Sequence, residues 1–451
     1  MMISGKRSPS VVADDLFRRE GARLVASLAA HLGTHRLQLA EDVVQEALVR
    51  ALQTWPYRGI PDNPAAWLTQ AAKNLALDAL RREQTWQRKE AQITAEQERW
   101  LARDEPPEDQ LLTDDTLRML FVCFHPQLSI EAQLALALRT VAGLSPAEIG
   151  VAVLTSEAAI AKRLVRARQL IRDLRLPFAV PDASELPQRL DGVLAALYLL
   201  FNEGYKASSG GSLVRETLCH EAIRLVTLLA GHPSTQAPRT YALLALMLFN
   251  AARLAARADD AGNLLRLHEQ DRKTWDQTMI QRGIQCLAHA AQGDTISEYH
   301  LEAGIAACHS TASDDANTNW PRILALYDHL ITLTASPIAA MNRAVAVARV
   351  HGPQAGMAAL DAITDRSKLE ANHLFHVIRG TFAAGLGHQA AALAHFQHAG
   401  HLASLPAERD FIARRVHECA TTSDATSCLP AQQVTLTHPQ AGSRTDAAGA
   451  G

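Results

Sequence analysis

Helical periodicity runs through almost the whole chain and leaves little room for any fold but a helical one. Apolar residues recur every three to four positions, and no segment has the two-residue alternation of a half-buried strand. Ala and Leu dominate a hydrophobic content of 48%, whereas aromatic residues account for only 5%, a composition that favours helices packed on helices. The 451 residues are too many for one average domain. We therefore predict an all-α protein with two or three domains.

The overall charge and the cysteine pattern restrict the partners and the compartment. The chain has 44 Lys and Arg residues against 47 Asp and Glu residues, so a nucleic-acid surface must be a local concentration of basic charge. Its six cysteines include no CxxC pair, which argues against a zinc module and a disulfide framework. The N-terminus has no apolar signal core, and the longest apolar run, Tyr241–Phe249, is too short to cross a bilayer. These features predict a cytoplasmic protein with no membrane segment, metal or other cofactor.

Composition marks two short helical blocks in the N-terminal part of the chain. Residues 14–83 form the first block, and residues 116–176 form the second. The segment 84–115 lies between them, and its stretch 90–115 holds nine acidic residues and two arginines. Such a charge run with two prolines inside it predicts an extended linker.

Weak internal repetition marks the C-terminal part. Residues 185–418 are rich in Ala and Leu, and the stretches 344–363 and 378–400 share one pattern: a small-residue helix, a glycine-containing turn and a second helix. This pattern is the stacking unit of a TPR-like solenoid, which offers a surface for a protein or peptide partner. The last residues, 421–451, are rich in Thr, Ser, Ala and Gly and are predicted to be disordered.

A basic cluster stands out in the second block. A capping box at Ser145–Glu148 starts a short helix, and Ser156 or the preceding threonine can cap a second helix that runs to about Arg175. A helical wheel of this second helix places five apolar residues on one face, namely Ile160, Leu164, Ala167, Ile171 and Leu174. Basic residues lie opposite or on the flanks, namely Lys162, Arg163, Arg166 and Arg168. Two helices with a tight turn and a basic second helix indicate a DNA-reading helix-turn-helix, against the simpler alternative of a solvated charged face.

The first block carries an acidic face and a mixed polar face. In LAEDVVQEALVRAL (39–52), Asp42, Gln45 and Glu46 lie off the apolar face, and acidic charge suits a basic protein partner better than DNA. The helix in PDNPAAWLTQAAKNLALDALRR (61–82) has a polar side that includes Asn74, Asp78, Arg81 and Arg82. The predicted loop WPYRGIPDN (55–63) between them places Trp55 and Tyr57 where they can touch an unstacked base. The acidic face also has an ordinary alternative as a solvated helix surface.

These stretches resemble a known family. AEDVVQEAL followed by PAAWLTQAAKNLALDALRR is similar to region 2 of bacterial extracytoplasmic-function (ECF) sigma factors. FHPQLSIEAQLALALRTVAGLSPAEIGVAVLTSEAAIAKRLVRARQLIRDL is similar to their region 4, although Ala159-Ile160-Ala161 replaces the Thr-Val-Lys of many members. LFNEGYKASSG and SPIAAMNRAVAVARVHGP resemble the long C-terminal extension of one ECF subgroup, whose tail is TPR-like. The resemblance implies a region 2 helical bundle at 14–83, a region 4 helix-turn-helix at 116–176 and a TPR-like regulatory extension at 185–418.

The resemblance also implies roles for individual residues. It assigns core RNA polymerase binding to Asp42, Gln45 and Glu46. It assigns contact with the promoter −10 element to Trp55, Tyr57, Asn74, Asp78, Arg81 and Arg82. It assigns contact with the −35 element to Ser156, Lys162, Arg163, Arg166 and Arg168. The expected partners are then core RNA polymerase and promoter DNA, and no residue is expected to be catalytic.

Two alternatives stay open at this point. One is a conventional helix-turn-helix regulator whose C-terminal helical domain senses a ligand or a protein. The other is an enzyme housed in residues 185–418, which would need convergent titratable groups. The polar residues of FNEGYK (201–206) are more simply explained by the end of a helix, and we expect a turn over 201–211.

Overall fold

Helices account for all regular secondary structure in the described part of the chain. The computed structural model describes residues 9–84, 109–153, 155–205, 216–257, 259, 265–364 and 366–421. The prediction of an all-α protein is therefore confirmed. By contacts, the chain divides into two compact units, residues 1–197 and residues 198–451. Among the described residues, none of the helices combines the length and the apolar character that crossing a membrane requires.

The first unit is a helical bundle built from the two N-terminal blocks. Its α1 packs on α2 and α4, α2 packs on α3, and both α5 and α6 pack on α7. Leucine and phenylalanine side chains fill the interior; Leu28, Leu68, Leu80 and Phe121 are fully buried. The helices are α1 (Pro9–Leu32), α2 (Leu37–Arg58), α3 (Pro64–Gln84), α4 (Asp109–Cys123), α5 (Ile130–Thr140), α6 (Pro146–Ala152), α7 (Glu157–Leu174) and α8 (Leu186–Tyr205).

Two boundaries predicted from the sequence are wrong in detail. Helix α4 begins at Asp109, before the predicted end of the linker at residue 115, while residues 85–108 and 422–451 lie outside the described residues. Helix α8 begins in the first unit and ends in the second, so the chain does not divide between residues 176 and 185. The physical reason is Arg189, which donates a hydrogen bond to the Phe121 carbonyl and lies 5.8 Å from the centre of its ring. This contact keeps the first half of α8 in the bundle.

The second unit is a succession of helices in which neighbours along the chain pack on one another. Side chains of Asp276, Asn319, Ser336 and Asn372 cap helices by accepting hydrogen bonds from backbone N–H groups of the first turn. The helices after α8 are α9 (Glu216–Gly231), α10 (Pro238–Ala251), α11 (Gln277–Ala290), α12 (Glu298–Ser310), α13 (Trp320–Thr334), α14 (Pro337–His351), α15 (Pro353–Asp361), α16 (Ser367–Glu370), α17 (His373–Gly385), α18 (Gln389–Leu402) and α19 (Pro406–Thr421).

Both predicted repeats are pairs of helices joined at a glycine. Gly352, with φ of 91°, separates α14 from α15, and Gly387, with φ of 78°, separates α17 from α18. Only glycine adopts such positive φ values without strain. The helix–turn–helix pattern of the two stretches is confirmed.

Glycines inside helices of the second unit receive aromatic rings from neighbouring helices. A Cβ on Gly283 would lie 2.8 Å from Phe249, and a Cβ on Gly380 would lie 2.8 Å from Phe396. Cβ atoms in proteins essentially never lie within 3.0 Å of another heavy atom. An alanine at either position would therefore push the ring away. The missing side chains let the helices approach closely.

The FNEGYK segment differs from its predicted turn. Residues 201–205 belong to α8, and Asn202 and Glu203 are buried. A Cβ on Gly204 would lie 2.8 Å from the backbone nitrogen of Cys219, so the glycine serves a close helix contact. Residues 206–215 lie outside the described residues.

Candidate polymerase and nucleic-acid interface

Helix α2 exposes the acidic face that the sequence predicts. Asp42, Gln45 and Glu46 are all exposed, and their spacing places them on one side of the helix. Val49 and Leu52 continue the same side and are 44% and 47% exposed. This strip of carboxylates followed by apolar side chains suits a basic protein surface better than a phosphate backbone.

The predicted loop at residues 55–63 is wrong, because α2 continues through Arg58. Trp55 lies in the last turns of this helix, is 4% exposed, and packs edge-on against Trp67 with 5.6 Å between ring centres. The base contact predicted for Trp55 does not fit this conformation, since the ring is part of the core. Tyr57 is 90% exposed, and its contact with a base stays a prediction.

Helix α3 presents a narrower basic surface than the sequence suggests. Asn74, Asp78, Arg81 and Arg82 are exposed, with both arginines in the last turn. Lys73, which lies beside them in the sequence, is only 2% exposed. The positive charge of α3 is therefore concentrated at its C-terminal end.

The caps of the helix-turn-helix are those that the sequence predicts. The Ser145 N–H donates to Glu148 Oε2 at 2.8 Å, and the Glu148 N–H donates to Ser145 Oγ at 3.2 Å. This reciprocal pair is a capping box at the start of α6. Ser156 caps α7 by accepting a hydrogen bond from the Ala159 N–H at 3.2 Å, and its side chain is exposed.

Gly150 makes the tight connection between α6 and α7 possible. The Thr155 N–H donates to the Gly150 carbonyl at 2.8 Å, so the chain folds back directly onto the end of α6. A Cβ on Gly150 would lie 2.8 Å from the Thr155 carbonyl oxygen. Because that neighbour is backbone, any side chain here would force the two helices apart.

Helix α7 exposes most of the predicted basic side chains. Ile160, Leu164, Ala167 and Ile171 are buried, whereas Leu174, expected on the same face, is 37% exposed. Lys162 and Arg166 are exposed, and Arg163 is half-buried. These side chains, with Ser156 at the start of the helix, form a polar surface of the kind that contacts phosphates and base edges.

Arg168 lies on the other side of α7, in a buried ion pair with α2. Its Nη2 atom lies 2.6 Å from Glu41 Oε2, and the two side chains are 13% and 6% exposed. The Thr140 hydroxyl donates to Glu41 Oε1 at 3.0 Å. Burial raises the pKa of Glu41, and Arg168 and Thr140 oppose that rise. The DNA contact predicted for Arg168 therefore does not fit this conformation, because Glu41 neutralises the charge of its guanidinium group.

A second contact joins the same elements. The Thr34 hydroxyl, in the short turn between α1 and α2, donates to the Leu176 carbonyl just after α7 at 2.5 Å. The two helical blocks are thus packed together within the first unit.

Glu41 is not among the functional residues predicted from the sequence, although its position in the helical pattern signals a buried carboxylate. Glu41 lies one helical turn from the buried Leu37 and Val44, so the period places a carboxylate on the buried side of α2.

Comparison with known proteins identifies the first block and one relative. Residues 17–86 match the sigma-70 region 2 family, and residues 189–291 match a family of unknown function (DUF6596). An uncharacterized protein of Rhizobium meliloti (strain 1021) is 37% identical over 392 residues, which are 85% of this chain and 90% of that protein. The chain belongs to the family of this rhizobial protein. No solved structure matches it.

The exposed faces of α2 and α3 both belong to the part of the chain that matches sigma-70 region 2. Both helices lie within the matched residues 17–86. Sigma-70 region 2 implies binding to core RNA polymerase, and it supports a sigma factor as the class of this protein. Sigma-70 proteins are transcription factors and not enzymes, in agreement with the expectation that no residue is catalytic.

Proposed function

We propose that this chain is an ECF-type sigma factor that binds core RNA polymerase and directs it to promoters. The observation that carries the proposal is the exposed acidic strip of Asp42, Gln45 and Glu46 within a sigma-70 region 2 domain. The helix-turn-helix of α6 and α7 supports a second promoter contact through Lys162 and Arg166. Such a protein works in the cytoplasm, where core polymerase and the chromosome are found.

Each assigned surface has a separate task in this proposal. Asp42, Gln45 and Glu46 bind core polymerase. Tyr57 and the polar side of α3, with Asn74, Asp78, Arg81 and Arg82, engage the −10 element. Ser156, Lys162, Arg163 and Arg166 contact the −35 element, where guanidinium groups neutralise phosphates or reach guanine edges.

The proposal requires the first unit to open. Elements centred about 25 base pairs apart are separated by ~85 Å of B-DNA at about 3.4 Å per base pair. A compact unit of about 200 residues has a radius of gyration of only about 16 Å. The surfaces of α3 and α7 therefore cannot reach both elements while the two blocks are packed together. Opening breaks the Glu41–Arg168 pair and frees Arg168 for DNA.

The second unit acts, in this proposal, as a regulator within the same chain. It has its own cores, one of them around Phe382 and another around Phe396. Its consecutive helix pairs suit a TPR-like stack, and such stacks bind peptides or proteins on an extended surface. A partner bound there is one way to bias the opening of the first unit.

Run-off transcription with bacterial core polymerase tests the central claim. Addition of the full chain should produce transcripts that start at specific promoters. Asp42→Lys combined with Glu46→Lys should weaken binding to core polymerase and reduce transcription, because like charges then meet. The matched control is Asp294→Lys with Asp410→Lys, which makes the same charge change at exposed positions of the second unit. Unchanged affinity for core polymerase in the folded α2 variant would refute the assignment of this face.

A further inference from the structure

Val165 is an apolar side chain on the exposed side of α7. It is 64% exposed, whereas the buried side of α7 consists of other residues, namely Ile160, Leu164, Ala167 and Ile171. Val165 therefore adds little to the core of the first unit. Single apolar side chains are common on protein surfaces, and one needs an explanation only where its surroundings point to a ligand. Val165 is such a case, because its neighbours on the helix are cationic.

Cations lie on both sides of Val165. Lys162 and Arg166 are exposed and lie on one side of it. Arg168 lies on the other side, where it is paired with Glu41 in this conformation. A methyl-bearing side chain between positive charges suits a ligand that presents an apolar group between negative charges. The major groove of duplex DNA is such a ligand, because phosphates line both of its edges and the 5-methyl group of thymine projects into it.

The position of Val165 along α7 also fits contact with a base. In a helix-turn-helix, residues in the N-terminal part of the second helix contact base edges, and Val165 lies in the first half of α7. The second half is polar on the same side. There, Gln169 Nε2 donates to Asp173 Oδ1 at 2.8 Å, and Arg172 Nη1 donates to Gln169 Oε1 at 3.3 Å. These polar groups pair within the helix, so the first half is the better candidate for base contact.

A protein partner explains Val165 less well. One turn away on the same side, Ala161 exposes only a small side chain and Gln169 is polar, so Val165 does not belong to a broad apolar surface. Specific protein interfaces bury about 800 Å² of each partner around a largely apolar centre. A single valine between cations suits a single methyl group between phosphates better.

We propose that Val165 is a specificity-determining residue that contacts the 5-methyl group of a thymine in the −35 element. Apolar contact with this methyl group distinguishes T·A from the other base pairs in the major groove. Lys162 and Arg166 contact the phosphates or a guanine beside it. The inference rests on the proposed function, because it names the base that the −35 surface of α7 selects.

Replacement of thymine by uracil tests this inference, because uracil lacks only the 5-methyl group. The full chain is combined with bacterial core polymerase, and the probes are promoter fragments that this holoenzyme transcribes. Each thymine of the −35 element is replaced by uracil in turn, and competition gel shifts measure the affinity of the holoenzyme. At least one replacement should weaken binding by about fourfold, the effect of one methyl group removed from an apolar contact.

A substitution in the protein connects this effect with α7. Val165→Ala should reduce the effect of uracil at one thymine from about fourfold to less than about twofold, because the side chain that contacts the methyl group is then shortened. The substitution should leave the fold intact, since Val165 is exposed. The matched control is Ile296→Ala, at a residue of the second unit that is 63% exposed. This control should respond to uracil as the wild type does.

The outcomes distinguish this inference from the proposed function. If Lys162→Ala with Arg166→Ala weakens −35 binding but no uracil replacement does, the sigma-factor proposal stands and the inference is overturned. The inference is also overturned if Val165→Ala keeps the full effect of uracil at every thymine, or if the −35 element has no thymine in either strand. If the full chain directs core polymerase to no promoter, the sigma-factor proposal fails and the inference fails with it.

Discussion

Arg168 of α7 and Glu41 of α2 form a buried ion pair, with 2.6 Å between Nη2 and Oε2. The pair joins the helix-turn-helix to the helix that carries the acidic strip. The Thr140 hydroxyl completes the contact by donating to the other Glu41 oxygen. Arg168 thus holds two blocks of the first unit together, although its neighbours on α7 are predicted to bind DNA.

Breaking this pair from one side should destabilise the first unit. Arg168→Met leaves Glu41 buried without its cation, at a cost of about 3 kcal/mol in the free energy of unfolding. Glu41→Gln combined with Arg168→Met should cost less than the two single changes added together, since neither charge is then left alone. Urea unfolding measures all three, with the exposed Lys162→Met as the control, which should cost less than about 0.5 kcal/mol. Additive losses would show that the two side chains are not coupled.

The same carboxyl group should give the stability a specific pH dependence. Burial raises the folded-state pKa of Glu41 above its ordinary value of 4.5. Its contribution to stability is therefore complete below pH 4.5 and is lost as the pH rises through the folded-state pKa. Relative to Glu41→Gln, the wild type should lose stability as the pH rises above 4.5. Urea unfolding of both proteins at several pH values from 4.5 upward measures this change. A wild type that gains stability relative to Glu41→Gln as the pH rises contradicts the prediction.

The two promoter contacts should fail separately. Arg166→Ala should weaken binding to −35 duplex by about 1–3 kcal/mol if the side chain reaches a base edge, and by less if it contacts only phosphate. Arg81→Ala with Arg82→Ala should impair −10 engagement and promoter opening while leaving −35 binding intact. Gel shifts with separate duplexes and permanganate footprinting distinguish the two effects. Equal −35 binding after removal of both Lys162 and Arg166 would show that α7 does not read DNA through this face.

Gly150→Ala should disturb the helix-turn-helix more than its size suggests. The new Cβ would lie 2.8 Å from the Thr155 carbonyl oxygen, so the turn must shift, at a cost of about 1–3 kcal/mol. Binding to −35 duplex should weaken with it, because α7 moves relative to α6. Gly231→Ala, where no atom lies within 4 Å of the added carbon, is the matched control. A neutral Gly150→Ala would mean that the turn adjusts freely.

Removal of the second unit should change transcription in a way that depends on the cut. Truncation after residue 205 keeps α8 and its Arg189 contact with Phe121, whereas truncation after residue 180 removes both. The longer fragment should stay folded and should differ from the full chain in run-off transcription, because we propose that the second unit regulates initiation. If it transcribes as the full chain does under every condition, the second unit does not regulate initiation.

Local signals in the sequence predicted much of this architecture. Helical periodicity, the Ser145–Glu148 capping box and the Ser156 cap depend on residues close together in the chain, and the structure has them as expected. The exposed sides of α2 and α3 followed from the same periodicity. Such features need no knowledge of which helix lies beside which.

The errors arose where tertiary contacts override local pattern. Trp55 looked like a loop residue beside Pro56 and Tyr57, but packing against Trp67 extends the helix around it. Arg168 looked like one more basic residue of α7 until Glu41 was brought within 2.6 Å of it. Side chains this far apart in sequence meet only once the helices have packed.

The rings of Phe249 and Phe396, seated on Gly283 and Gly380, set the spacing of their helix pairs. Where each helix pair packs mainly on the neighbouring pairs, a change in one spacing adds to the displacement of every pair that follows. One methyl group on Gly380 would tilt the next helix slightly, and every helix beyond it would inherit that tilt. A ligand that spans several helix pairs would then fit the shifted helices poorly along its whole length, even far from the added carbon. The two glycines therefore fix the helix spacing to which any extended ligand of the second unit would have to fit.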